Sequence, residues 1–289
     1  MGAGSSGSAI AYRLAQENNM KVLLIEYGGY NKSVLIDMPA ALSYPMNMKK
    51  YNWGFNTEPE PNLLGRSLIC PRGKGLGGSS SINGMVYVRG HPQDFDNWSA
   101  QGASSWSFSD VLPYFKKMEA CENKSSPWRG KKGPIRIKTA EQKNVLHHVF
   151  SEAAVQSGYS LTEDYNGYKQ EGIGAAEMTI HKGNRWSAAK GYLEKITKQK
   201  NICIMTSCLA DRLLFLNNKC NGIIFKRKSE TFSAKCKNGV ILAAGSIGNP
   251  CILQRSGIGN LKYIAGLGIK PFKNLKGVGN NLQDHLELY

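Results

Sequence analysis

Three features predict an α/β fold in this chain of 289 residues: a glycine-rich turn at residues 2–7 that opens a helix, a buried strand at 21–25 closed by an acid, and a second strand-turn-helix at 240–259. With 41% hydrophobic residues the chain can bury one large core or two interleaved ones, and disorder is not expected.

Glycines recur at 2, 4 and 7, around Ser5 and Ser6. Their small size lets backbone approach a pyrophosphate, and the helix predicted over 8–18 turns its N–H groups and positive dipole end toward it. The apolar run 21–25 then ends in Glu26, an acid placed to accept hydrogen bonds from adenosine ribose hydroxyls. A glycine-rich surface turn is the plainer reading, and it does not account for that acid. A turn of this type follows a buried strand, yet none precedes Met1 in this sequence, and an apolar alternation opens at 286–289. The chain is therefore expected to be a fragment.

A second glycine cluster fills residues 72–84, with Gly77, Gly78 and Ser79 at its centre. Leu76, Ile82, Met85 and Val86 interrupt it, which suits a packed segment better than a linker. Further on, Ser107-Phe108-Ser109-Asp110 has the spacing of a capping box and predicts a helix to about 121, with Pro113 as a bend. Residues 123–133 read as an exposed loop. Val145, Val149, Phe150 and Ala153 predict a helix over 144–157 with those four facing inward, ended by Gly158. Short strands are predicted at 202–206, 213–216, 223–226 and 240–243, the last turning through Ala244-Gly245 into a helix. Glycine turns near both ends indicate one nucleotide-binding domain assembled from distant stretches.

The run from Gly73 to Asn83, continued by Tyr87-Val88-Arg89-Gly90-His91, resembles the first hallmark of the glucose-methanol-choline (GMC) oxidoreductases. Residues 245–259 resemble the second, departing at Asn249 where Ser or Thr is usual, which puts a local hydrogen bond in question. The resemblance spans the chain. Tyr51-Asn52-Trp53, Glu58-Pro59-Glu60-Pro61, Arg185-Trp186-Ser187 and Gly277-Val278-Gly279 look like its choline-oxidising branch.

The resemblance implies a Rossmann-like FAD-binding domain (1–155 and 200–289, with a lid segment near 40–100) interleaved with part of an α+β substrate domain (156–199). It implies FAD bound through Gly2, Gly4, Ser5, Ser6, Gly7 and Glu26. Gly77, Gly78, Ser79, Asn83, Gly84, Met85 and Val86 are expected along the isoalloxazine, and Ala210 by the adenine. Some members attach the flavin through a His at the position of Ile82; isoleucine has no nucleophile, so non-covalent FAD is expected. The implied reaction converts a primary alcohol, best choline, to its aldehyde, with a quinone or other non-oxygen acceptor. An alcohol oxidase or another GMC alcohol dehydrogenase, and a non-catalytic flavin-binding remnant, are the alternatives. Catalytic residues are expected beyond Tyr289, and His147 and His148 are not put in their place. Trp53 and Trp186 could face a quaternary ammonium, though core packing is their plainer role.

Lys and Arg total 37 against 21 Asp and Glu, a formal charge of +16. The basic residues are dispersed, so a solvated surface is expected and no nucleic-acid partner. Seven cysteines without a C-x-x-C pair fit a reducing, cytoplasmic setting, with peripheral contact at a membrane compatible with a quinone acceptor. No metal-ligand cluster is evident.

Overall fold

Four consecutive apolar residues, Val22–Ile25, form a strand that pairs in parallel with Ile202–Met205, Val22 opposite Ile202. The crossover that a parallel pair needs is the long stretch of chain between the two strands, and the helix Ser5–Ala15, which precedes both, packs against Val22–Ile25. Ala11 and Ala15 of that helix meet Leu24, Leu76, Leu193 and Ile196 in a shared core. On the other side of Val22–Ile25, Gly2 N donates to Ile25 O at 2.8 Å, and Met1 O accepts from Ala243 N at 2.7 Å. Residues 240–243 therefore lie beside the glycine turn, but they form no regular strand as expected. Among the described residues their backbone hydrogen bonds there are Met1 N to Ile241 O and Ala243 N to Met1 O, which do not make a ladder.

The structure is a computed structural model that describes residues 1–17, 19–121 and 126–284. The chain folds as two compact units, one comprising Met1–Lys32, Ser43–Ile82 and Ala188–Tyr289, the other Ser33–Leu42 and Asn83–Ser187. The divisions at 82/83 and 187/188 differ in place from the expected domain limits at 155/156 and 199/200.

The first unit also holds three antiparallel strands, Cys208–Leu216, Lys219–Arg227 and Glu230–Lys235. Asn217 and Asn218 both take positive φ, 49° and 61°, the geometry of a tight hairpin turn. The first two strands are longer than predicted. The third was not predicted, because an exposed polar edge such as Glu230–Lys235 carries no apolar run.

The second unit is organised around buried charge. The helix Phe108–Met118 begins with the predicted capping box, Ser107 Oγ accepting from Asp110 N and Asp110 Oδ2 from Ser107 N. It stops at Met118 instead of reaching 121, and Glu119–Cys121 runs on as a strand paired with Ile135–Thr139. The side chain of Glu119 accounts for the change. Fully buried, it accepts from Arg129 Nε at 2.9 Å and Gly130 N at 2.7 Å. Arg129 also donates to both oxygens of buried Glu177, at 2.9 and 2.8 Å, and Arg89 lies 2.9 Å from Glu119. Burial works against the charge of Arg129, but the hydrogen bonds and charges of Glu177 and Glu119 outweigh it and raise its pKa above the ordinary guanidinium value. The expected loop at 123–133 falls partly outside the described residues.

The helix Val145–Gln156 forms as predicted, with Asn144 capping Leu146 N and Gly158 at φ 89° after its end. Its expected inward face is exposed: Val145, Val149 and Phe150 are 68, 53 and 64% accessible, Ala153 is also exposed, and Ala154 is buried instead. Periodicity groups side chains on a face without saying what covers it.

Replacing Arg129 with Met strands two buried carboxylates. The expected loss is about 3–5 kcal/mol of unfolding free energy by urea titration; a loss under about 1 kcal/mol would show that the network does not hold this unit together.

Candidate nucleotide-cofactor site

The first unit contains a cleft of about 390 Å³, within the usual range of small-molecule sites. Its floor is the two glycine turns. Gly4 and Gly78 meet back to back: a Cβ on Gly78, at φ 52°, would stand 2.6 Å from Gly4 Cα. Gly77 N donates to Ala3 O at 2.8 Å, so the two clusters form one surface. The helix Ser5–Ala15 has Gly4 at its N-cap with no side-chain cap and no acid in its first turn, which leaves its N–H groups directed at the cleft for an anion.

Gly2, Gly4, Ser5, Ser6, Glu26, Gly78, Ser79 and Ala210 line this cleft. Gly7 and Gly77 support it from behind. A Cβ on Gly7 would collide with Gly2 O at 1.9 Å, and one on Gly77 with Ser81 Oγ at 2.3 Å. Glu26 is 8% accessible; Oε2 accepts from Ala3 N at 2.9 Å, and Oε1 from Gly28 N and Gly75 N at 2.9 and 3.0 Å. A carboxylate offers about four acceptor positions, so one remains for a ribose hydroxyl.

Asn83, Gly84, Met85 and Val86 belong to the second unit and are not among the residues lining the cleft. There, Arg185 donates from Nη1 to Asn83 O at 2.6 Å and to Asn83 Oδ1 at 3.0 Å. Burial pulls the pKa of Arg185 down to about 10, partly offset by Asp37, and leaves it charged at neutral pH. Met85 is buried with φ at 64°, its carbonyl held by Thr179 N at 2.8 Å. Val86 is 57% accessible. The part played by Arg185 was not read from the sequence, where it stood only as one letter of a motif.

Other expectations resolve individually. Asn249 keeps a local hydrogen bond, its Oδ1 accepting from Ala244 N at 2.8 Å. Ile82 is buried. Trp53 lines the cleft, stacked between Tyr27 at 4.9 Å and Phe55 at 5.9 Å, while Trp186 donates to Pro134 O in the second unit. His91 accepts from Gln93 N at the start of the helix Pro92–Ala100, and His181 packs edge-on against Trp186. His147 and His148 lie on an exposed helix, and His285 is outside the described residues. Arg72, Ile247, Cys251 and Arg255 line the cleft and were not foreseen there. Three of them were legible in principle, since 247, 251 and 255 share one helical face.

The sequence family described as GMC oxidoreductase matches residues 2–287. The chain belongs to this family. It is 49% identical over 289 residues to an oxygen-dependent choline dehydrogenase of Brucella anthropi, covering 100% of this chain and 52% of the relative. A protein of the same description from Rhizobium etli is 48% identical over the same span. The chain thus spans about half the length of the curated relatives it matches. Among solved structures, an FAD-dependent oxidoreductase from Chaetomium thermophilum superposes with a TM-score of 0.92 at 30% identity, over 98% of this chain and 51% of its own. Pyridoxine 4-oxidase from Mesorbium loti gives 0.90 at 30%, over 94% and 54%. The mixed α/β fold is that of the FAD-binding region of GMC oxidoreductases. Among the described residues no helix is long and apolar enough to cross a membrane.

FAD, the cofactor that GMC membership implies, fits these residues. The glycine floor and free helix N–H groups suit a pyrophosphate, Arg72 and Arg255 add positive charge, and Glu26 retains an acceptor. Two measurements follow. Gly4 has φ −74° and a Cβ there would meet only Gly78 Cα at 3.8 Å, so Gly4→Ala should fold with a melting temperature within about 4 °C. The same methyl projects into the cleft, and FAD affinity should fall at least about tenfold in fluorescence titration; unchanged affinity would separate the cleft from the cofactor. Cys251 is exposed at the cleft, whereas burial pushes the Cys208 thiol up and its Sγ donates to Thr206 O. Iodoacetamide should modify Cys251 ahead of Cys208 in peptide mapping, and saturating ADP should slow the Cys251 reaction severalfold.

Proposed function

We propose that this chain is the FAD-holding part of a flavin-dependent alcohol dehydrogenase that oxidises choline to betaine aldehyde. The observation that carries this reading is the joining of the two family glycine turns, Gly2–Gly7 and the cluster around Gly78, into one anion-receptive floor. Bound FAD would accept the hydride at N5 as the alcohol becomes an aldehyde. The residues of the cleft bind and orient: the helix N–H groups hold the pyrophosphate and Glu26 the ribose. The base that takes the hydroxyl proton is expected outside this chain.

Choline is favoured because the relatives at 48–49% identity carry that substrate in their names. Their description as oxygen-dependent favours oxygen as the acceptor over the quinone expected from sequence. FAD is held without a covalent bond, since Ile82 offers no nucleophile. The first unit carries the cofactor and the second belongs to the substrate side.

Fusing this chain to the C-terminal half of the Brucella anthropi relative provides the test. Anaerobic bleaching of the flavin band by choline, but not by ethanol, is the expected result. A fusion that binds FAD and bleaches with neither alcohol would favour a non-catalytic flavin-binding role. On readmitting air, stoichiometric hydrogen peroxide identifies oxygen as acceptor; peroxide-free reoxidation by an added quinone identifies the alternative.

A further inference from the structure

The helix Gly245–Arg255 places Ile247, Cys251 and Arg255 one turn apart along the wall of the cleft. At about 1.5 Å per residue, Arg255 stands roughly 12 Å along the axis from Ile247. It is thus at the far end of the helix from the Gly245 turn. The facing wall there is the start of the strand Cys208–Leu216.

Arg255 is pinned across this gap. Its Nε donates to Asp211 O at 2.7 Å and its Nη2 to Ala210 O at 3.2 Å, with Asp211 Oδ1 3.7 Å from Nε. Two carbonyls and a carboxylate fix the plane of the guanidinium while its side chain stays 41% accessible. Among the described residues Nη1 has no hydrogen-bond acceptor, so this edge and the guanidinium face remain for a ligand. A fixed cationic plane beside a cleft suits a flat ring bearing acceptor nitrogens.

We propose that Arg255 recognises the adenine end of the cofactor and gives the cleft its preference for a flavin dinucleotide over a flavin mononucleotide. This rests on the reading of the cleft as the FAD site. The guanidinium stacks on or donates to the purine, a role that a lysine ammonium, compact and without a plane, fills only in part.

The test is titration of the full chain with FAD, ADP and FMN, using flavin fluorescence for the flavins and calorimetry for ADP. Arg255→Met should weaken FAD and ADP about tenfold each, the scale of one desolvated cation–π contact, and change FMN less than about twofold. Arg255→Lys should fall between, and it decides by the same FAD-to-FMN ratio if the Met variant does not fold. Equal weakening of FAD and FMN, or unchanged FAD affinity, overturns the inference while leaving the FAD site standing. Failure of the unsubstituted chain to bind FAD or ADP overturns the cofactor reading and this inference with it.

Discussion

The first unit depends on one carboxylate. Glu26 accepts the N–H groups of Ala3, Gly28 and Gly75, three points separated in sequence that must converge for the glycine floor to exist. A buried acid without such donors costs several kcal/mol, so the three N–H groups and the acid require each other. Convergence at Glu26 brings the second glycine cluster against the first, and on the Gly78 side only glycine tolerates the contact that results. The Cβ–Cα approach of 2.6 Å at Gly78 leaves room for hydrogen and nothing larger, and within the first turn a Cβ on Gly7 would meet Gly2 O at 1.9 Å. Glu26 is therefore a structural hub first, and the same bonds that make it so leave it one acceptor for a ribose.

The second unit solves a different problem. Its centre is an ion-pair network, with Glu119 and Glu177 joined through Arg129 and extended by Arg89 and Asn166. Such a network is weak evidence of net stability, but its geometry is demanding. Here it fixes a hallmark segment: Asn166 accepts from Arg89 N at 2.7 Å and donates to Tyr87 O at 3.0 Å, holding the backbone of Tyr87-Val88-Arg89 in place. Arg185 does the equivalent for Asn83. Arginine suits both positions because one planar fork satisfies several acceptors at once.

Much of the first unit was legible in the sequence because its signals are local. A glycine turn, a helix, an apolar strand and an acid follow one another within 26 residues, and the capping box at Ser107 is likewise local. What stayed hidden depends on distant partners. The buried roles of Glu119, Arg129 and Glu177 follow from their mutual placement, and no single-residue pattern marks a charge as interior. The strand Glu230–Lys235 is defined by its neighbour and not by its composition. Val145, Val149 and Phe150 show the converse, since their spacing fixed a common face and said nothing of its accessibility. In the proposed cofactor site the glycine turns stood out as local motifs, while Cys251 and Arg255 were passed over because the second hallmark was read for its turn alone.

The cleft also indicates how binding and chemistry divide. Among the described residues lining it there is no histidine and no lysine, and its one acidic side chain already accepts three backbone N–H groups. Its other polar groups include helix N–H groups, serine hydroxyls and two arginines, which donate hydrogen bonds, and the amino terminus of Met1, whose pKa burial lowers from its ordinary value. Such a surface holds an anion through donated hydrogen bonds and positive charge. Donors hold and orient an anion, and proton transfer is a separate requirement that their hydrogen bonds do not meet.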